Sequence, residues 1–250
     1  MSTPQVYKLF LDKAAFNHRF AKYIKRHFMT TLDHNWADIT EFLKNNSKVI
    51  AKPLTDFGGH GVFLLDSSKS DYNQTSERLN NLFDNQCSYI LEETICNCDQ
   101  LSLIAPASLN TLRFVTVIDK EQTLHIIAAL LRMGNGTAIT DNYHDGGMAC
   151  AIDIETGRLK GKAYGMNCIS YDVHPYSKIK FDGYEIPRFE ECVNLIKEIA
   201  FVEPEARYVG WDLAITPNGI ELLEGNIPPG EDITQIATGQ GMWYKMLNWK

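Results

Sequence analysis

The sequence predicts an α+β fold in two lobes, and three observations carry that prediction. Helical and strand patterns are mixed as far as residue 95. From Asn110 onward the chain becomes a succession of strand hairpins, which argues for an antiparallel sheet. One amphipathic helix and a last hairpin follow, so that the helix can cover a face of that sheet. On this division residues 1–95 form a smaller lobe and residues 96–250 a larger one.

Between Lys13 and Met29, Phe16, Phe20, Ile24 and Phe28 recur every four positions, predicting one helix with Asp12 as its N-cap. A second helix is predicted from Trp36 to Lys44. KVIAKP and GVFLLD read as strands joined by a glycine-rich turn, SERLNNLFDN as a helix and SYILEE as a strand. The second part contributes TLRFVTVID, TLHIIAALLR, MACAIDI and LKGKAYG, with turns at Lys120-Glu121 and Thr156-Gly157. In FEECVNLIKEIA, residues 189–200, Phe189, Cys192, Val193, Ile196 and Ala200 share one face.

Composition narrows the function. The 250 residues, 44% hydrophobic and 22% charged, describe an ordinary globular chain with a sizeable core. A net charge of -7 argues against a broad grip on nucleic acid, so anionic ligands need local cationic pockets. MSTPQVYKLFLDK lacks a secretory pattern and the longest apolar block, IIAALL, is short of a membrane span. A cytoplasmic chain without a transmembrane segment is therefore expected. Six cysteines without a C-x-x-C pair read as reduced thiols, and Cys96-Asn97-Cys98 is a weak metal signal.

The stretch VGWDLAITPNGIELLEGN, residues 209–226, carries the strongest chemical signal. A three-residue loop at Pro217-Asn218-Gly219 would pair Thr216 with Ile220, Ala214 with Leu222 and Asp212 with Glu224, leaving Asn226 further along the same face. A two-residue loop at Asn218-Gly219 would separate the acids and force Pro217 into the ladder. The three-residue loop is therefore favoured. Facing carboxylates about 5 Å apart repel unless a positive charge lies between them, and magnesium accepts two carboxylates with an amide oxygen. For either acid alone, exposure at a hairpin end is the commoner arrangement.

Glycines in KPLTDFGGHGV, residues 52–62, would let backbone N–H groups approach phosphate oxygens, with Lys52 adding a charge; alone, the segment is equally well a hairpin turn. It is not a Walker A loop, and no H-R-D precedes its Asp56-Phe57-Gly58 as in a protein kinase. A lysine-and-glycine loop in a small lobe, followed by an oxygen-ligand trio in a larger sheet, would enclose a metal-bound nucleotide between lobes.

In this order of motifs, from Asp12 to Gly230, the sequence resembles the ATP-grasp superfamily, specifically its sugar-transfer-associated family of polysaccharide biosynthesis. The resemblance implies the ATP-grasp fold, with ATP and Mg2+ between lobes of mainly antiparallel sheet. It implies Lys13 and Lys52 as ATP-binding lysines and Gly58, Gly59 and Gly61 as a lid over the phosphates. In YILEETI, Glu92 would carry a polar contact while the backbones of Glu93 and Ile95 read the adenine edge. SLNTLR offers Asn110, Thr111 and Arg113; LLRMGNG and DNYHDGG offer Arg132, Asp141, Asn142 and Gly147. Asp212, Glu224 and Asn226 match the magnesium ligands, and Pro228-Pro229-Gly230 resembles the loop bordering the substrate. Arg113 and Arg132 also have a plainer reading as strand residues that ion-pair on the sheet.

The resemblance implies ADP-forming ligase chemistry: a small-molecule or sugar-linked carboxylate becomes an acyl phosphate, which an amine or another nucleophile attacks, with Arg132 or Arg113 steadying the acyl phosphate. A sugar or small-molecule kinase on the same fold, and a nucleotide-binding component of a glycan assembly complex without turnover, are the alternatives. Superfamily members usually carry a sizeable domain ahead of the first lysine. Here eleven residues precede Asp12, so a polysaccharide-biosynthesis partner protein or the larger lobe is expected to hold the acceptor.

Overall fold

A computed structural model of the chain describes residues 3–32, 35–55, 61–66, 88–136 and 146–242. The predicted helix in SERLNNLFDN and three expected site residues, Gly58, Gly59 and Asn142, lie outside them, as does Asp141. The described strands form two sheets with antiparallel neighbours throughout. The four-stranded sheet has the order β1-β4-β2-β3, from β1 (Phe28–Thr30), β2 (Lys48–Pro53), β3 (Phe63–Asp66) and β4 (Tyr89–Glu93). The seven-stranded sheet has the order β11-β10-β5-β6-β7-β8-β9. Its strands are β5 (Thr111–Ile118), β6 (Leu124–Met133), β7 (Met148–Asp153), β8 (Arg158–Gly165), β9 (Ser170–Tyr171), β10 (Tyr208–Thr216) and β11 (Gly219–Asn226).

Helices cover both faces of the larger sheet, which is why all eight residues of β5 are buried and its sequence shows no polar alternation. On one face lie α1 (Pro4–Leu11), α2 (Lys13–Arg19) and the predicted helix, α5 (Phe189–Ile199), whose Phe189 stacks on Phe114 at 5.6 Å. On the other, α6 (Glu231–Thr238) sets Ile233 and Ala237 against Leu130, Ala149 and Ala151. The smaller sheet packs on α3 (Trp36–Asn45), which has an Asn35 capping box. A short α4 (Asp99–Ile104) links the sheets in sequence. The sequence does not predict α1, α4 or α6. Val6, Phe10, Phe16, Phe20 and Ile24, expected within the smaller lobe, enter the core of the larger sheet.

Two local predictions need correction. Asp12 does cap α2, accepting from Ala14 and Ala15 N–H at 3.0 Å, but the helix stops at Arg19 and a 3-10 turn follows over Ala21–Tyr23. A continued helix would need the N–H groups of Lys25 and Arg26, which instead donate to the Glu221 carboxylate at 3.0 and 3.2 Å. The four-residue spacing reports burial: Phe16 in the helix, and Phe20, Ile24 and Phe28 beyond its end, all meet the same core.

The last hairpin also turns differently. Its loop has two residues, Pro217 and Asn218, so Thr216 faces Gly219, Ile215 faces Ile220 and Ala214 faces Glu221. Proline lies in the loop itself, and the objection to a two-residue loop does not apply. A bulge then intervenes: Leu213 faces Leu222 but Asp212 faces Glu224, so Leu223 is the extra residue. The carboxylates meet as expected, through a tighter turn followed by a bulge.

Gly225, between Glu224 and Asn226, is where the aromatic layer touches this hairpin. A Cβ there would lie 2.6 Å from Phe10 Cε1 and 3.0 Å from Phe16 Cε2. Phe10 is itself packed edge-on against Phe16, Phe20 and Trp211 and has little room to yield. We expect Gly225→Ala to lower stability by about 1–3 kcal/mol in urea denaturation, as overpacking does; an unchanged midpoint would show that the ring layer is looser than described.

Candidate functional site

The charged side chains form two groups, one on each sheet. On the larger sheet β5, β6, β10 and β11 bring Arg113, Arg132, Asp212, Glu224 and Asn226 together. Arg113 grips Asp212 with a forked pair, Nε to Oδ1 and Nη2 to Oδ2 at 2.7 Å, and Arg132 Nη1 reaches Oδ2 at 2.9 Å. Asn226 Nδ2 donates to Glu224 Oε1 at 3.1 Å. Pro229, following the cis Ile227–Pro228 peptide, closes on Gly210, where a Cβ would lie 2.8 Å from Pro229 Cβ and 3.2 Å from Arg113 Cδ. The Pro-Pro-Gly loop thus borders the arginine side of the group.

These contacts revise the electrostatic argument. The positive charge that makes facing carboxylates tolerable is supplied by two guanidiniums, so the ion-pairing reading of Arg113 and Arg132 holds, with the first metal candidate as their partner. Burial alone would push the Asp212 carboxyl up; Arg113 and Arg132 overcome it, hydrogen bonds to Arg113 and Glu224 assist, and the group is held at about 2. Oδ2 takes two donors and Oδ1 one, which leaves Asp212 little capacity for a further ligand. Glu224 and Asn226 are only half-buried, and their side-chain oxygens are hard donors. An oxygen set of this kind fits a magnesium ion that keeps waters and phosphate oxygens among its ligands. Among the described residues no cluster of three His, Cys, Asp or Glu side chains forms a metal site by itself. Cys150 and Cys192 are thiols pushed up to about 12 by burial.

The second group centres on Glu92 of β4, which is buried rather than turned toward a ligand. Lys52 Nζ of β2 lies 2.6 Å from Oε2, while Oε1 accepts from Asn17 Nδ2 at 2.8 Å and from Arg26 Nε and Nη2 at 2.9 and 2.6 Å. Burial would raise the Glu92 carboxyl, but Arg26 and Lys52 hold it well below the usual carboxylate range. The Glu92 carboxylate is thus shared among Asn17, Arg26 and Lys52. Lys13 opens α2, and its N–H donates to Leu54 O at 3.1 Å, so both lysines start from neighbouring backbone. Gly61, at φ +70, passes Pro53 so closely that a Cβ would lie 2.9 Å from Pro53 Cγ, where β2 ends beside Lys52.

Asn110 is fully buried; it donates to Leu101 O and Ala105 O and accepts from Ser108 Oγ at 2.9 Å, which closes the turn between α4 and β5. The Glu93 N–H is committed to His27 O at 2.9 Å, and Ile95 lies partly buried just beyond β4. Arg26, Glu221 and Asn17 were missed. The one available signal was Glu221 itself, an acid within GIELLEGN where a buried strand demands a cation.

Acid pH provides a test. The folded-state values of Asp212 and Glu92 lie below the ordinary 3.8 and 4.5, so between those limits the unfolded chain binds more protons and stability rises with pH. For Asp212, a drop from 3.8 to about 2 is worth about 2 kcal/mol, present above 3.8 and lost as the pH falls toward 2. In denaturant titrations at stepped pH we expect Glu92→Gln to lose about 3–5 kcal/mol at neutral pH, by orphaning buried cations, and to approach the wild type below pH 4.5. Parallel curves for the two proteins would contradict the pairing.

Comparison with known proteins places this geometry. A family model described as sugar-transfer associated ATP-grasp matches residues 1–249. No curated protein sequence matches the chain. Among solved structures, D-alanyl-alanine synthetase A from Vibrio cholerae O1 biovar eltor aligns with TM-score 0.61 and 12% identity, covering 99% of this chain and 62% of its own. The ATP-grasp ligase PsnB, complexed with precursor peptide PsnA2 and AMPPNP, gives 0.58 and 14%, covering 99% and 60%. N5-carboxyaminoimidazole synthetase from Staphylococcus aureus, complexed with ADP, gives 0.57 and 10%, covering 95% and 52%. The chain thus spans between half and two thirds of the length of these proteins. At such identities the likeness establishes the ATP-grasp fold, and with the family match over 1–249 the chain belongs to the sugar-transfer associated ATP-grasp family.

Proposed function

We propose that this protein is an ATP- and magnesium-dependent ligase that joins a carboxylate to an amine or another nucleophile in polysaccharide or glycoconjugate biosynthesis, with release of ADP. The observation that carries the reading is the pairing of two charge groups on two sheets of an ATP-grasp fold: a held lysine on one, and an arginine, carboxylate and amide set on the other. The PsnB and carboxyaminoimidazole synthetase neighbours hold AMPPNP and ADP, respectively, which supports a nucleotide here. Family membership supports the glycan context.

Magnesium–ATP supplies the transferable phosphoryl group and part of its charge compensation. The chain's own residues do the rest. Lys52, with Lys13, steadies phosphate oxygens, and Gly61 belongs to the loop that covers them, together with Gly58 and Gly59. Glu224 and Asn226 hold the cation. Arg113 and Arg132 both pair with Asp212, and Arg132, the more exposed of the two, is assigned to the acyl phosphate. A carboxylate oxygen attacks the γ-phosphorus and ADP leaves; the amine then attacks the acyl carbon, a C–N bond forms, and phosphate departs as the amine loses its proton. A lobe division near residue 95 would set these halves against each other, with the acceptor held by the larger lobe or a partner protein. No helix among the described residues is long and apolar enough to cross a membrane, and free thiols support a cytoplasmic setting.

A screen of ADP release across carboxylic acids paired with amino acids and amino sugars tests this. We expect release that requires both partners and that Glu224→Ala reduces by about 100-fold or more, with the melting temperature unchanged because Glu224 is half-buried. ADP release with a hydroxyl acceptor and no amine would make the protein a kinase; wild-type activity in Glu224→Ala would remove the metal assignment. Asp212→Ala is the poorer probe, since it orphans two arginines.

A further inference from the structure

Arg26 lies outside every motif the sequence displays, yet its side chain is fully engaged. Its guanidinium has five N–H donors, and the structure accounts for all five. Nε and one Nη2 hydrogen go to Glu92 Oε1 at 2.9 and 2.6 Å, and the other Nη2 hydrogen goes to Leu223 O at 3.0 Å. Nη1 donates to Glu221 Oε1 at 3.0 Å and to Leu222 O at 2.7 Å. The side chain is 2% exposed.

The acceptors define what this residue does. Leu222 and Leu223 are the residues at the bulge, the single irregularity that makes Glu224 rather than Leu223 face Asp212. Because side chains alternate along a strand, a ladder continued without the bulge would turn Glu224 to the opposite face. β11 is an edge strand of its sheet, so its outer carbonyls have no neighbouring strand to bind them; Arg26 binds two of them. On the other side, Glu92 shares its carboxylate between Arg26 and Lys52.

We propose that Arg26 is a positioning residue for the ATP site, fixing the bulge that presents Glu224 and, through Glu92, the aim of Lys52. It acts on the cation and the phosphates together, from one buried guanidinium between the two sheets. This rests on the ATP-dependent reading above. Lysine cannot substitute, because a single ammonium carries three donors and no planar fork.

The test compares wild type, Arg26→Lys and the triple variant Arg26→Met/Glu92→Met/Glu221→Gln by calorimetric titration with manganese–AMPPNP. The electron paramagnetic resonance spectrum of the bound manganese and the melting temperature are recorded alongside. The triple variant removes the buried charges together and keeps an amide oxygen at 221 for the Lys25 and Arg26 N–H groups, so it folds even where Arg26→Lys does not. We expect both variants to bind about 10- to 100-fold more weakly, the range typical of lost outer-shell support at a metal site, with an altered manganese spectrum in a protein that still melts cooperatively. Folded variants with wild-type affinity and an unchanged spectrum would overturn the positioning role while leaving the ATP reading intact. A wild type that ignores manganese–AMPPNP would overturn that reading and this inference with it.

Discussion

Arg26 ties Glu92 of one sheet to Glu221 and two backbone carbonyls of the other, and the arrangement of the candidate site follows from that buried connection. Two carboxylates in a protein interior are tolerable only when each finds a cation with good geometry. The chain meets the same demand twice, with Arg26 between Glu92 and Glu221 and with Arg113 and Arg132 on Asp212. Buried pairs of this kind contribute little net stability compared with apolar packing. Their effect here is directional: Lys52 is held at one place, Glu224 at another, and the sheets that carry them are joined.

The apolar part of the fold is consistent with such a rigid frame. Trp211, in the strand that carries Asp212, is buried beneath Phe10 and Phe20, and its indole N–H reaches Thr116 Oγ1 at 2.9 Å. The N-terminal helices thereby brace the strand carrying the site from the face opposite Asp212, which lies one residue further along that strand. Close-packed layers have low compressibility, so the polar face above them inherits a fixed spacing.

Much of this was legible in the sequence. Long alternating or apolar runs between turn residues located most strands, since strand periodicity and turn chemistry are local properties. The pairing of Asp212 with Glu224 was also legible, although the route was misjudged: Pro217 entered a tighter loop and a bulge at Leu223 restored the register. Two departures of one residue cancelled, and neither leaves a local mark. The end of α2 was illegible for a related reason, because the Glu221 carboxylate that captures the Lys25 and Arg26 N–H groups lies far away in sequence. Asn110 and Glu92 illustrate the same limit. Their residue types suit a ligand, and only tertiary contacts reveal the turn and the buried ion network in which they hydrogen-bond.

The central claim is that Glu224 and Asn226 hold a nucleotide-bound cation while Arg113 keeps Asp212. Anomalous diffraction from crystals grown with manganese–AMPPNP addresses it directly. The account predicts a manganese peak bonded to Glu224 and Asn226, Lys52 Nζ turned from Glu92 toward the phosphates, and the fork between Arg113 and Asp212 intact. A peak away from those two side chains, or a nucleotide bound elsewhere on the molecule, would contradict it.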